Sequence, residues 1–137
     1  MFRTLFCLGL LTFSALQAEE ILINPSDNSQ EQLQEALILA KPGDTIKLQA
    51  GLYKFTDGLS LDIDNVRLIG EGMDKTILSF ADQLSGAQGL LVTSNKVVLK
   101  DFAIEDAKGD ALKVIGADGI YMINLRTEWT GGPKSTN

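Results

Sequence analysis

The side chains able to do chemistry are few in this chain, and most of them fall in pairs. Asp62 and Asp64 sit two apart, the spacing that puts both on one outer face of a strand, where they could share a cation. Calcium takes oxygen ligands but wants six or more, so two solvated acids at a turn is the plainer reading. Asp101 and Asn124 are the next pair: they could hold calcium, or they could satisfy the backbone of a turn, as Asx side chains do. Glu105 and Glu128 repeat that separation. Two carboxylates brought side by side push one pKa upward, which is how acid/base pairs arise, whereas in open solvent screening relieves them. Arg126, Glu128 and Trp129, within RTEW, offer charge and a ring to an anionic sugar and are the candidate substrate-binding residues; exposed residues near a chain end are the alternative. Gly70 and Gly72 open like a phosphate loop, but Lys75 stands where a third glycine is needed and no long helix follows. The chain has no histidine. No catalytic set assembles, and no cofactor is expected beyond calcium at Asp101 and Asn124.

The setting of these residues is read from the N-terminus. MFRTLFCLGLLTFSALQA carries Arg3 in a short positive head, an apolar stretch from residue 5 to about residue 16, and Ala18 where a signal peptidase could cut. The stretch is too short to cross a hydrocarbon layer of roughly 30 Å as a helix. Residues 1–18 are therefore expected to be a signal peptide, and the protein to be exported to the periplasm or the extracellular space. Cys7, the single cysteine, lies inside this segment. The whole chain carries 12 basic and 18 acidic residues, a net charge of −6; without Arg3 the balance is 11 to 18, or −7. Phosphate backbones and anionic membranes repel such a surface, so neither nucleic acid nor, after cleavage, a membrane is an expected partner.

Residues 19–44 are expected to form an N-terminal segment with one helix. In SDNSQEQLQEALILAKPGD, Ser29 followed by Gln32 fits a capping box, Leu33, Ala36, Leu37 and Ala40 recur on one face, and Pro42 and Gly43 stop the helix. From Thr45 the period changes to that of strands. TIKL sets Ile46 and Leu48 on one side, and LSLDI alternates over residues 59–63.

One apolar pattern is then written several times. KVVLKDFAIED and GIYMINLRTEW match at an offset of 23, pairing Leu91 with Val114, Val92 with Ile115, Asn95 with Asp118, Val97 with Ile120, Leu99 with Met122, Asp101 with Asn124 and Glu105 with Glu128. Upstream, an offset of 31 pairs Gly58 with Gly89, Leu59 with Leu90, Leu61 with Val92, Val66 with Val97 and Leu68 with Leu99. The difference of eight predicts a loop inserted within residues 71–88. Each unit holds two or three strand-length pieces and has no room for a helix, which excludes helical repeats; leucine-rich spacing is missing. Residues 45–137 are therefore expected to be an all-β solenoid, a parallel stack of about three to four coils capped by the helix. Val66, Val97 and Ile120 form one internal column, and Leu68, Leu99 and Met122 another.

PGDTIKLQAGLYKF followed by NVRLIGEGMDKTIL resembles the opening of right-handed parallel β-helix proteins of the pectin-lyase-like superfamily, with GEGMDKTIL similar to the matching stretch of pectin methylesterases. The resemblance covers roughly residues 30–129. It implies a right-handed coil with a solid interior, and a surface that binds or acts on acidic polysaccharide. Motifs resembling the esterase QDTL and DFIFG are missing, Arg126 and Trp129 do not reproduce the esterase Arg-x-Trp spacing, and without histidine the epimerase-like DPHD cannot be built.

Two functional expectations result. One is an exported polysaccharide-binding or structural module with no catalytic site in this segment. The other is the N-terminal part of a longer lyase, epimerase or esterase whose catalytic residues lie beyond Asn137. TGGPKSTN supplies no closing cap, so the last coil is expected to be open and available for self-association.

Overall fold

The computed structural model describes residues 17–131. The signal peptide expected at residues 1–18 falls almost wholly outside the described residues, as does Cys7. Among the described residues no helix is long and apolar enough to cross a membrane.

A short strand that the four residues EILI do not announce, β1 (Glu20–Ile23), precedes the helix α1 (Ser29–Leu39). The chain then runs a three-sided circuit through β2 (Thr45–Leu48), β3 (Gly51–Lys54) and β4 (Leu59–Leu61), and repeats it through β5 (Arg67–Ile69), β6 (Thr76–Ser79) and β7 (Gln88–Val92). In the third circuit two sides merge into β8 (Val98–Glu105), followed by β9 (Asp110–Val114); the described chain closes with β10 (Tyr121–Glu128). All these pairings are parallel. One face stacks β1, β2, β5 and the first halves of β8 and β10. A second stacks β3, β6 and the second halves of β8 and β10, and a third stacks β4, β7 and β9. The described residues are thus predominantly β, the parallel sheet strongly curled into a solenoid-like stack, with one short helix among them.

Stacking explains the repeated pattern. Coils lie one strand spacing apart, about 4.8 Å, so a side chain pointing inward meets its equivalent in the next coil. Ile46, Leu68 and Leu99 form such a column, continued by Met122, and Leu59 and Leu90 form another with Leu112. Phe55 and Phe80 stack inside at 5.1 Å between ring centroids. Full burial of each such side chain contributes about 1.5–3 kcal/mol. Repeated glycines also have a stacking cause. A Cβ at Gly58 would lie 2.7 Å from the Gln88 carbonyl oxygen, and one at Gly89 would lie 2.6 Å from that of Ala111.

The register corrects three expectations. The insertion is divided: the offset falls from 31 at Ile69 and Lys100 to 26 at Ile77 and Ala103, and to 22 at Gln88 and Asp110. Five extra residues therefore precede β6 and four follow it. Val92 pairs with Val114, not Ile115, and Leu91 with Lys113; one extra residue in the turn before β10 restores the offset of 23 that Tyr121 and Val98 show. The capping box is absent. Ser29 is itself the first helical residue, Asn28 at the cap makes no side-chain bond, and the Ser29 hydroxyl instead donates to the Ser26 carbonyl at 2.7 Å.

Leu33, Ala36, Leu37 and Ala40 are buried as their spacing predicts, so α1 covers the interior at the N-terminal end. Its polar side chains complete the job. Gln34 accepts from the Ser60 N–H at 2.9 Å and donates to the Ser60 carbonyl at 3.1 Å, standing in for a strand beside β4. Gln30 accepts from the Thr56 N–H in the same way.

Candidate functional site

The acidic pairs singled out by sequence serve the stack. Asp62 accepts the Thr93 hydroxyl at 2.6 Å and Asp64 accepts the Asn95 N–H at 2.8 Å, each reaching one coil onward. Asn95 in turn accepts the Asp118 N–H at 2.9 Å, so Asp64, Asn95 and Asp118 form a polar corner ladder. Asp101 and Asn124 form a second corner: both hold positive φ, and the Asn124 amide donates to Asp101 at 3.0 Å. Among the described residues no three acidic, cysteine or histidine side chains group as a metal site. Gly70 and Gly72 direct their N–H groups to the carbonyls of Lys100 and Asp101, each at 2.9 Å, so the loop's donors are turned into the next coil and away from any phosphate.

Arg126 and Glu128 meet, but in a closed network. On the outer side of β10, one Arg126 nitrogen lies 2.8 Å from Glu105 and 2.9 Å from Glu128, bridging the carboxylate pair. Another donates to the Met73 carbonyl at 3.0 Å, and Nε stands 3.3 Å from Asp74. The bond to Glu105, ahead of that to Glu128, raises the Arg126 pKa above its ordinary value, while burial opposes. The guanidinium thus fastens the inserted loop before β6 to the last two coils. Sequence spacing alone showed the carboxylates facing each other and missed the cation between them, because Asp74 arrives from a loop 52 residues away. Trp129 is not part of this group. Its indole N–H donates to the Ala107 carbonyl at 2.6 Å, leaving the ring half exposed.

A different surface has unengaged groups. Where the third face turns into the first, Asn65, Asn95, Lys96, Asp118 and Gly119 form the rim of a shallow open groove of about 520 Å³, whose floor is the outward column Arg67, Val98 and Tyr121. The corner is made by left-handed residues: Asn65 at φ 58°, Lys96 at 55° and Gly119 at 71°. Their backbones are tied between coils, Asn65 N–H to the Asn95 carbonyl at 2.9 Å and Lys96 N–H to that of Asp118 at 2.8 Å. The rim is therefore held by main-chain bonds together with the Asp64 and Asn95 side chains. Arg67 and Lys96 make no ion pair among the described residues, and Tyr121 is 61% exposed. The groove thus offers two cations, Arg67 and Lys96, beside the carboxylates of Asp118 and of Asp64, which accepts the Asn95 N–H at the same corner. Such a groove can receive a planar or ring-shaped anion by charge and by stacking on tyrosine. The only signal in sequence was the outward parity of residues 67, 98 and 121, carried by the same offsets that placed the interior.

No family model, curated protein or solved structure matches the chain.

Proposed function

We propose that this protein is an exported right-handed parallel β-helix of the pectin-lyase-like kind, and that it binds an acidic polysaccharide in the groove of Arg67, Lys96 and Tyr121 without turning it over. The observation that supports the reading is the pairing of two cations that make no ion pair among the described residues with an exposed ring on the outer face of a parallel stack. An acidic chain repels an acidic glycan unless cations are presented locally, and Arg67 and Lys96 are the cations this groove presents, beside Asp118 and Asp64. The candidate set Arg126, Glu128 and Trp129 suits this role less, since the guanidinium is already bonded by three carboxylates and a carbonyl. Calcium, if it contributes, would act between glycan carboxylates and the exposed acids.

The test is calorimetric titration with polygalacturonate, alginate and a neutral glucan, together with an assay for chain cleavage. Binding of an acidic glycan that weakens with salt, with no turnover, supports the reading. Equal binding of the neutral glucan removes the charge argument. Turnover would place the protein among the carbohydrate-active enzymes instead.

A further inference from the structure

Asp44 stands between the turn at Gly43 and the start of β2, and only 3% of its surface is exposed. A carboxylate taken out of water is costly unless it is hydrogen-bonded and paired with a charge. The bonds are present. The Glu19 N–H donates to one oxygen and the Lys41 N–H to the other, each at 2.8 Å. Both donors are neutral, and no cation among the described residues forms an ion pair with Asp44; the Lys41 ammonium acts on it only from farther off. Asp44 is thus complete in hydrogen bonds and short of a counter-ion in contact.

One of the two donors belongs to the residue that signal cleavage is expected to make the first. Ala18 and Glu19 are both exposed, and they lie in irregular chain directly before β1. Hydrolysis adds water across the bond between them. The C–N bond breaks, Ala18 leaves as a carboxylate, and the Glu19 nitrogen takes up protons to become an α-ammonium, whose ordinary pKa is about 7.7–8.0. The position of that nitrogen does not depend on the bond that is lost. The Glu19 carbonyl accepts the Thr45 N–H at 2.9 Å, and the following residues pair with β2 from Glu20 opposite Thr45 to Ile23 opposite Leu48. The new cation therefore arises where the amide N–H stood, 2.8 Å from the Asp44 carboxylate. A neutral hydrogen bond is exchanged for a charge-assisted one, roughly twice as strong. Glu20, the next acid on β1, is already paired with Lys47 at 3.2 Å.

We infer that removal of residues 1–18 creates an ion pair between the α-ammonium of Glu19 and the carboxylate of Asp44, which holds β1 to the first coil more tightly in the processed chain than in its precursor. The inference rests on the export part of the reading above and not on glycan binding. The full chain, expressed in a bacterial export system, supplies the product to test. Its first residue, read by mass spectrometry, is expected to be Glu19. The α-amine is then titrated by its rate of acetylation across a pH series. It is expected to release its proton at about tenfold lower proton concentration than an ordinary α-amine, as contact with an opposite charge requires. The pair's stabilisation is complete below about pH 8 and is lost as pH rises through the raised value. Asp44→Asn should return the amine to its ordinary range. A glycine inserted between Ala18 and Glu19 should do the same while restoring the amide bond of the precursor, and it carries the test if Asp44→Asn does not fold. A product that begins at another residue, an amine that titrates in its ordinary range, or one indifferent to both changes would overturn the inference. A raised amine pKa in a product that binds no acidic glycan would support the ion pair and sink the glycan reading, whereas a chain that is never cut would overturn the ion pair together with export.

Discussion

The Asn124 amide stands 3.0 Å from the Asp101 carboxylate, and both residues sit in the left-handed region at φ 49° and 59°. In the coils that contain them a single residue turns the strand from one face to the next, where the preceding coil spends the whole loop 70–75. An L side chain with a Cβ is strained in that conformation, and Asn and Asp tolerate it best after glycine. Asp101→Gly should therefore destabilise the protein less than Asp101→Ala, by about 1 kcal/mol. Urea unfolding of the two variants measures the difference; equal midpoints would contradict the role given to the corner.

Tyr53 joins the first full coil to the strand above it. It is fully buried, and its hydroxyl lies 2.9 Å from the Ile23 carbonyl and 2.8 Å from that of Gln49. Tyr53→Phe removes the one proton that the two carbonyls share, and since the Ile23 carbonyl keeps the Gln49 N–H at 3.0 Å and the Gln49 carbonyl keeps the Thr76 hydroxyl at 3.4 Å, the cost should be about 0.5–1.5 kcal/mol. Burial, with the nearby Glu71 charge, pushes the Tyr53 pKa up to about 12. The folded state therefore keeps a proton that the unfolded chain releases near its ordinary value of about 10. The resulting stabilisation is complete below that value and disappears as pH rises from about 10 to about 12. Tyr53→Phe should flatten that part of the stability profile.

Asp44 acts at the other end of the pH scale. The N–H of Glu19 and then that of Lys41, each at 2.8 Å, hold its carboxylate below the ordinary range, against burial. The depressed folded pKa means that the stabilisation is present above the unfolded value and is lost as pH falls through the folded one. Acid unfolding of wild type should thus steepen below about pH 4, and Asp44→Asn should remove that contribution. Identical acid limbs for the two proteins would show that the bonds to Glu19 and Lys41 carry no net stabilisation.

The interior was legible in sequence because stacking imposes one requirement on every coil. Val66 and Val97, Leu68 and Leu99, and Asp101 and Asn124 all lie where their offsets place them. What the offsets could not reveal was geometry that depends on loops. A comparison of apolar positions sees the net insertion, so it missed that residues 70–75 and 80–87 bulge separately on either side of β6. The first of these loops brings Met73 and Asp74 to Arg126, and the second is pinned by the buried Gln83, whose amide donates to the Ser85 and Gln88 carbonyls, each at 3.0 Å. The groove was hidden for another reason. Arg67, Lys96 and Tyr121 share no motif, and only the pleat and the corner bring them to one surface.

Arg126 and Tyr121 lie on the same strand and should fail in opposite ways. Arg126→Gln removes the cation shared by Glu105, Glu128 and Asp74. Partly buried charge networks lose more than surface pairs do, so this variant should be less stable by about 1–3 kcal/mol and should speed hydrogen exchange in residues 70–75. Its affinity for an acidic glycan should stay near that of wild type. Tyr121→Ala removes an exposed ring that contributes little to folding, and should leave the unfolding midpoint nearly unchanged while weakening glycan binding about tenfold. Lys96→Asn is the matching charge test, because asparagine keeps the left-handed backbone at φ 55° and removes only the ammonium. It should lower affinity and reduce the salt dependence. Should Arg126→Gln abolish binding while Tyr121→Ala and Lys96→Asn leave it intact, the glycan would have to be moved from the groove to the β10 cluster.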